Sequence, residues 1–327
     1  MNYFKLAYTT PDVLEKIKEA EKNGDFNAHI DPIDYSNCQP VDENFPYIPA
    51  GLQKFRQVLI RTFIISPFMW IVNRFIFRTK IYNDYGNKKK KRNKNNNGIG
   101  QQYANINEKI PVQSYVNDSM IKDTSKSKTE KGCIQSSPGM IITCNHINKL
   151  DALVVRWALK KSGMLRGRQL KVMVADFNNQ KGRLGRYMRA FGILPFSSEH
   201  RMIKLFDSAV SHYLNRGDCI LVYPEQSEWW GYDRPRPLKR GAFYYAVKNN
   251  VPVQPIFITC RDGKGTVSGV RRKYFDVHIL ERIVPVCNTA KDHEKVQHMM
   301  EENSREWQDV YNFNSLFTNV CLMHKPL

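Results

Sequence analysis

From Met140 onward, short apolar runs of strand length alternate with longer segments whose apolar residues recur at helical spacing. This alternation is the strongest constraint on the fold, because strand and helix joined by short connections build a mainly parallel sheet. The runs predict strands over 140–144, 170–175, 193–196, 219–223, 253–259 and 275–280. Between them the spacing predicts helices over 149–161, 182–190, 199–215 and 240–249, and a last helix from about 289 to 311. The expected class is therefore α/β, with a mainly parallel central sheet flanked by helices. Ligands of such sheets bind beyond the carboxyl ends of the strands, and His146 and Glu225 fall at two such ends.

The chain before Met140 changes character three times. Thr10 and Pro11 open an amphipathic helix that runs to about Lys22 and stops at Gly24, and 25–50 reads as loop. The first thirty residues hold no sustained apolar core, so no signal peptide is expected. The stretch 52–78 is rich in Phe, Ile and Trp, yet its uncharged part, 62–73, is interrupted by Pro67 and bracketed by Arg61 and Arg74. That is short of the ~20 apolar residues of a bilayer span. It fits a helix or helical hairpin lying in a membrane interface, with the arginines reaching phosphates; the alternative is a helix packed on the protein's own core. Between 87 and 138 the composition turns to Asn, Lys, Ser and Gln, too polar to offset chain entropy, so a disordered insertion is expected. The organisation read from this is an N-terminal helix and loop (1–50), a membrane-associated segment (51–84), the insertion (85–138) and a catalytic domain (139–327).

Charge and cysteine usage narrow the classes further. A net charge of +19 predicts attraction to phosphate-rich partners, a nucleic acid or an anionic membrane face. Part of it is the run Lys88–Lys91, Arg92 and Lys94, which suits a solvated linker as well as an RNA contact. Seven cysteines without a CxxC pair read as reduced thiols, and neither a disulfide framework nor a zinc site is implied. The eight histidines form no HExxH and no paired Cys/His spacing, so no metal is expected.

Three blocks carry chemistry. NHINKLD, 145–151, places His146 in the turn after a strand and Asp151 in the first turn of the next helix. A neutral imidazole takes a proton from an alcohol near pH 7, and a carboxylate fixes its tautomer. Five residues are ~500° of helix rotation, so the two side chains would meet only across that turn. The same residues also suit a capped helix start beside a loop histidine, and the local pattern leaves both readings open. After the strand at 219–223 comes YPEQSEWWGYDRPRPLKRG, a loop dense in Glu225, Ser227, Glu228, two tryptophans, Arg234, Arg236, Lys239 and Arg240. VPVQPIFI, 251–258, is a strand with Pro252 and Pro255 at its start.

In order and spacing these blocks, with GILPFSS at 192–198, resemble the four motifs of the lysophosphatidate acyltransferase family of glycerolipid acyltransferases: NHx4D, a Gly-Ile-Pro block, (F/Y)PEGTRS and VPxxPxxI. The resemblance implies that His146 is the general base, that Asp151 orients it, and that Cys144 is structural. It implies acyl transfer from acyl-CoA or acyl carrier protein to a lysophospholipid hydroxyl, 1-acylglycerol-3-phosphate first among them, giving phosphatidic acid. Glu225, Ser227, Arg201, Arg236, Lys239 and Arg240 become candidates for acceptor binding. No cofactor beyond the thioester donor, no metal and no nucleic-acid partner is expected. Membrane lipids are the expected partners, and the place is the cytosolic face of a membrane. The third motif departs from the family: Gln226, Ser227 and Glu228 stand where Gly-Thr-Arg is usual, and Ser198 stands near the usual arginine of the second. Replacing a bidentate cation by a carboxylate removes attraction for phosphate. An acyltransferase-like scaffold without turnover, and a thioesterase, are the competing expectations.

Overall fold

A computed structural model describes residues 9–30, 35–83, 139–197, 199–267, 269–285 and 291–323. The expected insertion at 85–138 and Ser198 lie outside the described residues. In chain order the elements are α1 (Pro11–Asn23), α2 (Gly51–Ile76), β1 (Lys80–Asn83), β2 (Met140–Cys144), α3 (Asp151–Lys161), β3 (Leu170–Ala175), α4 (Gly182–Phe191), β4 (Ile193–Phe196), α5 (His200–Asn215), β5 (Cys219–Val222), α6 (Gly241–Lys248), β6 (Val253–Val267), β7 (Val270–Ile279) and α7 (Asp292–Met323).

The strands form one sheet in the order β1-β7-β6-β2-β5-β3-β4. From β6 to β4 all neighbours are parallel, while β7 runs against β6 and β1 lies parallel to β7. Every residue of β2 and β5 is buried, as continuous apolar runs covered on both faces must be. Met140, Ile142 and Cys144 meet α2 and α3 on one face, and Ile141 meets α5, α6 and α7 on the other. The alternation of side chains along one strand thus builds two cores and three layers. Gly139 opens β2 because nothing larger fits there: a Cβ would lie 2.5 Å from the Leu214 carbonyl oxygen at the end of α5.

Strands β6 and β7 and helices α2 and α7 differ from the sequence reading, α7 running to Met323 where an end near 311 was expected. The strands expected at 253–259 and 275–280 continue towards each other as a long antiparallel ribbon, Val253–Val267 with Val270–Ile279. A two-stranded ribbon beyond the sheet has no face to bury, so its polar residues carry no apolar signal. Of the two forms expected for 52–78, a helix or a helical hairpin, the first is found: one unbroken helix, Gly51–Ile76, whose 26 residues, unlike the shorter uncharged stretch read from the sequence, are long and apolar enough to cross a membrane by length and composition. Pro67 is absorbed because the backbone winds as π-helix over Arg61–Ile65 just before it, and Ser66 Oγ donates to the Arg61 carbonyl at 2.9 Å. Arg272 of β7 caps the other end, its Nη2 donating to the carbonyls of Phe75 and Ile76 at 2.6 and 2.9 Å. Ile65, Met69, Val72, Asn73 and Ile76 pack inward, whereas Leu52, Phe55, Phe63, Trp70 and Phe75 are exposed. Helix α2 therefore rests on the core with one face and presents a second apolar face outward.

Candidate active site

The parallel register brings the ends of β2 and β5 side by side, Thr143 opposite Val222. The loops that follow are consequently neighbours, and both carry the residues singled out above. Asn145 continues β2 with its side chain: Nδ2 donates to the Ile258 carbonyl at 2.9 Å and Oδ1 accepts the Ile258 N–H at 2.8 Å. The amide stands in for one more rung of the ladder with β6, and the chain then turns so that His146 faces outward. Asp151 is the first residue of α3, two residues later than the spacing suggested, so that 146–150 are free to bend.

His146 Nδ1 lies 2.8 Å from Asp151 Oδ2, which also accepts the Ile147 N–H at 3.2 Å. Tyr223, the first residue beyond β5, donates its hydroxyl to Asp151 Oδ1 at 2.6 Å and stacks on the imidazole at 4.1 Å and 19°. With Nδ1–H directed at a carboxylate, the lone pair belongs to Nε2, and the His146 side chain keeps 22 % exposure while Asp151 is buried. Burial alone would lower the imidazole pKa; the Asp151 charge and hydrogen bond, with Glu228 adding, outweigh it and the net direction is up. Tyr223 is pushed well above its ordinary value by burial and then by Asp151, so it serves as a donor.

Glu225 ties the two loops together from behind. It accepts the N–H groups of His146 at 3.1 Å and Arg236 at 3.0 Å, and pairs with Arg236 Nη2 at 2.9 Å. Burial raises its carboxyl pKa while Arg236 and these backbone donors oppose the rise. Arg236 further donates to Ser227 Oγ at 2.9 Å and lies 4.7 Å over the Trp229 ring. Two backbone bonds complete the clamp, Trp229 N–H to the His146 carbonyl at 3.0 Å and Gly231 N–H to the Ile147 carbonyl at 2.9 Å.

Of the sequence candidates, His146, Asp151, Glu225, Ser227 and Arg236 thus converge. The Arg236 side chain is 0 % exposed, so it shapes the loop and offers no open face to an acceptor phosphate. Arg201, 78 % exposed, pairs with Glu43 at the start of α5, three strands from β2 across the sheet. Arg240 is exposed and donates to the His293 carbonyl, and Lys239 is half-buried with its N–H on the Pro224 carbonyl. The tryptophans hold the chain's own N-terminal segment: Trp229 is buried, stacks with Phe26 at 5.8 Å and donates Nε1–H to the Ala28 carbonyl at 3.1 Å. Tyr223 and Asn145 were the missed residues. Each adjoins a strand end within a recognised block, and only the register shows that they meet Asp151 and Ile258.

The sequence profile of the family described as Acyltransferase matches residues 123–259, a span that holds His146, Asp151, Glu225 and the VPVQPIFI block. Among solved structures, the chain is similar to the 1-acyl-sn-glycerophosphate (LPA) acyltransferase PlsC of Thermotoga maritima, with 12 % identity, 80 % of this chain and 95 % of that chain covered, and a TM-score of 0.41. No curated protein sequence matches the chain significantly. The chain thus carries an acyltransferase domain, residues 123–259, that holds this site, and it is an O-acyltransferase.

Proposed function

We propose that the chain transfers an acyl group from the thioester of coenzyme A or acyl carrier protein to a lysophospholipid hydroxyl, with 1-acylglycerol-3-phosphate as the leading acceptor and phosphatidic acid as its product. The observation that carries this is the His146–Asp151–Tyr223 arrangement at a strand end inside the matched domain. His146 Nε2 removes the hydroxyl proton as the oxygen attacks the thioester carbonyl. The tetrahedral intermediate collapses, the carbon–sulfur bond breaks, and the imidazolium returns its proton to the departing thiolate. Asp151 stabilises the imidazolium and Tyr223 holds Asp151. No acyl-enzyme is needed: Cys144 is buried, and burial with the nearby Asp151 and Glu225 charges keeps its thiol well above its ordinary pKa, hence protonated.

The outward apolar face of α2 supports work at a membrane surface, where the acceptor dissolves, with the polar donor arriving from the cytosolic side. Glu228 adds negative potential at His146, in place of the arginine usual in the family, so weak discrimination between phosphate and other head groups is expected. A thiol-release assay with acyl-CoA and a panel of lysophospholipids tests the reading. Release that rises with an added lysophospholipid and vanishes in His146→Ala supports it. Release that no acceptor accelerates would identify a thioesterase, and no turnover with any donor would favour a scaffold.

A further inference from the structure

The amino end of the sheet, roughly 15 Å from His146 by the rise of β2, carries a second concentration of charge. Arg61 of α2 donates to Gln169 Oε1 at 3.3 Å, just before β3, and stands between two lobes of one groove. One lobe, a cleft of only about 20 Å³, is lined by Lys171, Arg216 and Lys54. The other, about 250 Å³, is lined by Arg156, Lys160 and the hydroxyl residue Thr62, with Ser66 beside them donating its own hydroxyl to the Arg61 carbonyl. Among the described residues lining either lobe, none is acidic; the carboxylate in electrostatic reach, Asp218, is already paired with Arg216 at 3.2 Å.

These cations are not a solvated fringe. Lys171 is 5 % exposed, with Nζ 4.2 Å from the centre of the Tyr213 ring. Arg156 is buried, its Nη2 held by the carbonyls of Leu170 and Phe191, while its Nε has no hydrogen-bond partner. Burial pushes the Lys171 ammonium down to about 8, with Arg61, Arg156 and Arg216 adding to the fall, and burial lowers Arg61 and Arg156 as well. Like charges desolvated together destabilise a fold unless an anion offsets them. Phosphate oxygens meet guanidinium, ammonium and hydroxyl donors well. The same helix that supplies Arg61 and Thr62 exposes Phe55, Leu59 and Phe63, so a bound phosphate would have apolar surface beside it for an acyl chain.

We propose that this groove under α2 binds the phosphate group of an anionic membrane lipid, separately from the acceptor at His146. The proposal rests on the membrane-surface reading of α2. The test is the melting temperature of the full chain with neutral phosphatidylcholine vesicles, with vesicles also containing phosphatidic acid, and with inorganic phosphate, for wild type, Lys171→Met and Arg61→Gln. Arg156 stays intact because it holds two carbonyls. For wild type we expect phosphatidic acid to add on the order of 5 °C over neutral vesicles, with more than half of that gain lost in each variant. Without any anion, Lys171→Met should melt no lower than wild type, since it removes a buried like charge. An equal gain in variants and wild type would overturn the groove. Stabilisation by inorganic phosphate with none from phosphatidic acid would overturn the lipid as occupant. Cosedimentation separates the two ideas: a chain that binds no vesicle overturns the membrane reading, whereas binding with variant-independent gains overturns the groove alone.

Discussion

At the scale of single residues, the proposed base is His146, whose strength is set by Asp151, Tyr223 and Glu228 around it. His146→Ala should lower acceptor-dependent thiol release by about 10²–10⁴-fold, the usual worth of a positioned base. Asp151→Asn should cost a comparable factor, because an amide can leave the proton on the wrong nitrogen. The two differ in pH dependence. The pair raises the His146 pKa, and catalysis needs the neutral imidazole, so the acid limb of kcat/KM should lie above the ordinary histidine value of ~6.5. It should move down in Asp151→Asn. Stability runs the other way: a pKa raised by folding contributes stability below the unfolded value, and this is lost as pH rises through the folded one. Gln226 gives a second prediction. It holds φ at +66° where the family's motif has glycine, and a side chain there is strained. Gln226→Gly should raise unfolding free energy by about 0.5–1 kcal/mol in denaturant titrations.

Elements decide how the site is presented. Helix α2 holds to the core through Met69, Val72 and Ile76 and is capped by Arg272, while Phe63 on its outer face is 72 % exposed. Phe63→Glu should therefore leave the melting temperature in detergent-free buffer nearly unchanged. Vesicle affinity should drop about tenfold or more, since a phenyl ring entering the apolar boundary is worth roughly 1.5–3 kcal/mol. Equal partitioning of wild type and variant in a sedimentation assay would remove this helix from the membrane contact. The sequence showed an apolar segment here but not its two faces, because an all-round apolar pattern does not say which side the core takes.

For the whole molecule, the buried Glu225–Arg236 pair locks together loops 79 residues apart in sequence at their contact between His146 and Glu225. Arg236→Met would leave a buried carboxylate without its partner and should cost about 3–5 kcal/mol of stability. Adding Glu225→Leu should restore only part, as the His146 and Arg236 N–H groups lose their acceptor too. Strands β2, β3 and β4 and the class of fold were legible in the chain because buried parallel strands are unbroken apolar runs, and a helix with one apolar stripe has a period of its own. The pairing of His146 with Asp151 was one of two readings that the local pattern left open, and the fold brings the two together across one turn. Tyr223 beneath the imidazole, Arg236 turned inward and Arg201 bound to Glu43 were not legible, and neither was the meeting of Arg61, Arg156 and Lys171 at the far end of the sheet. By itself the sequence determined the buried strands, the amphipathic helices and the blocks that carry the candidate site residues, since propensity and periodicity act over a few neighbours. Only the tertiary structure decided which charges are spent on one another and which stay available, because that depends on strand order and on distances between residues far apart in the chain.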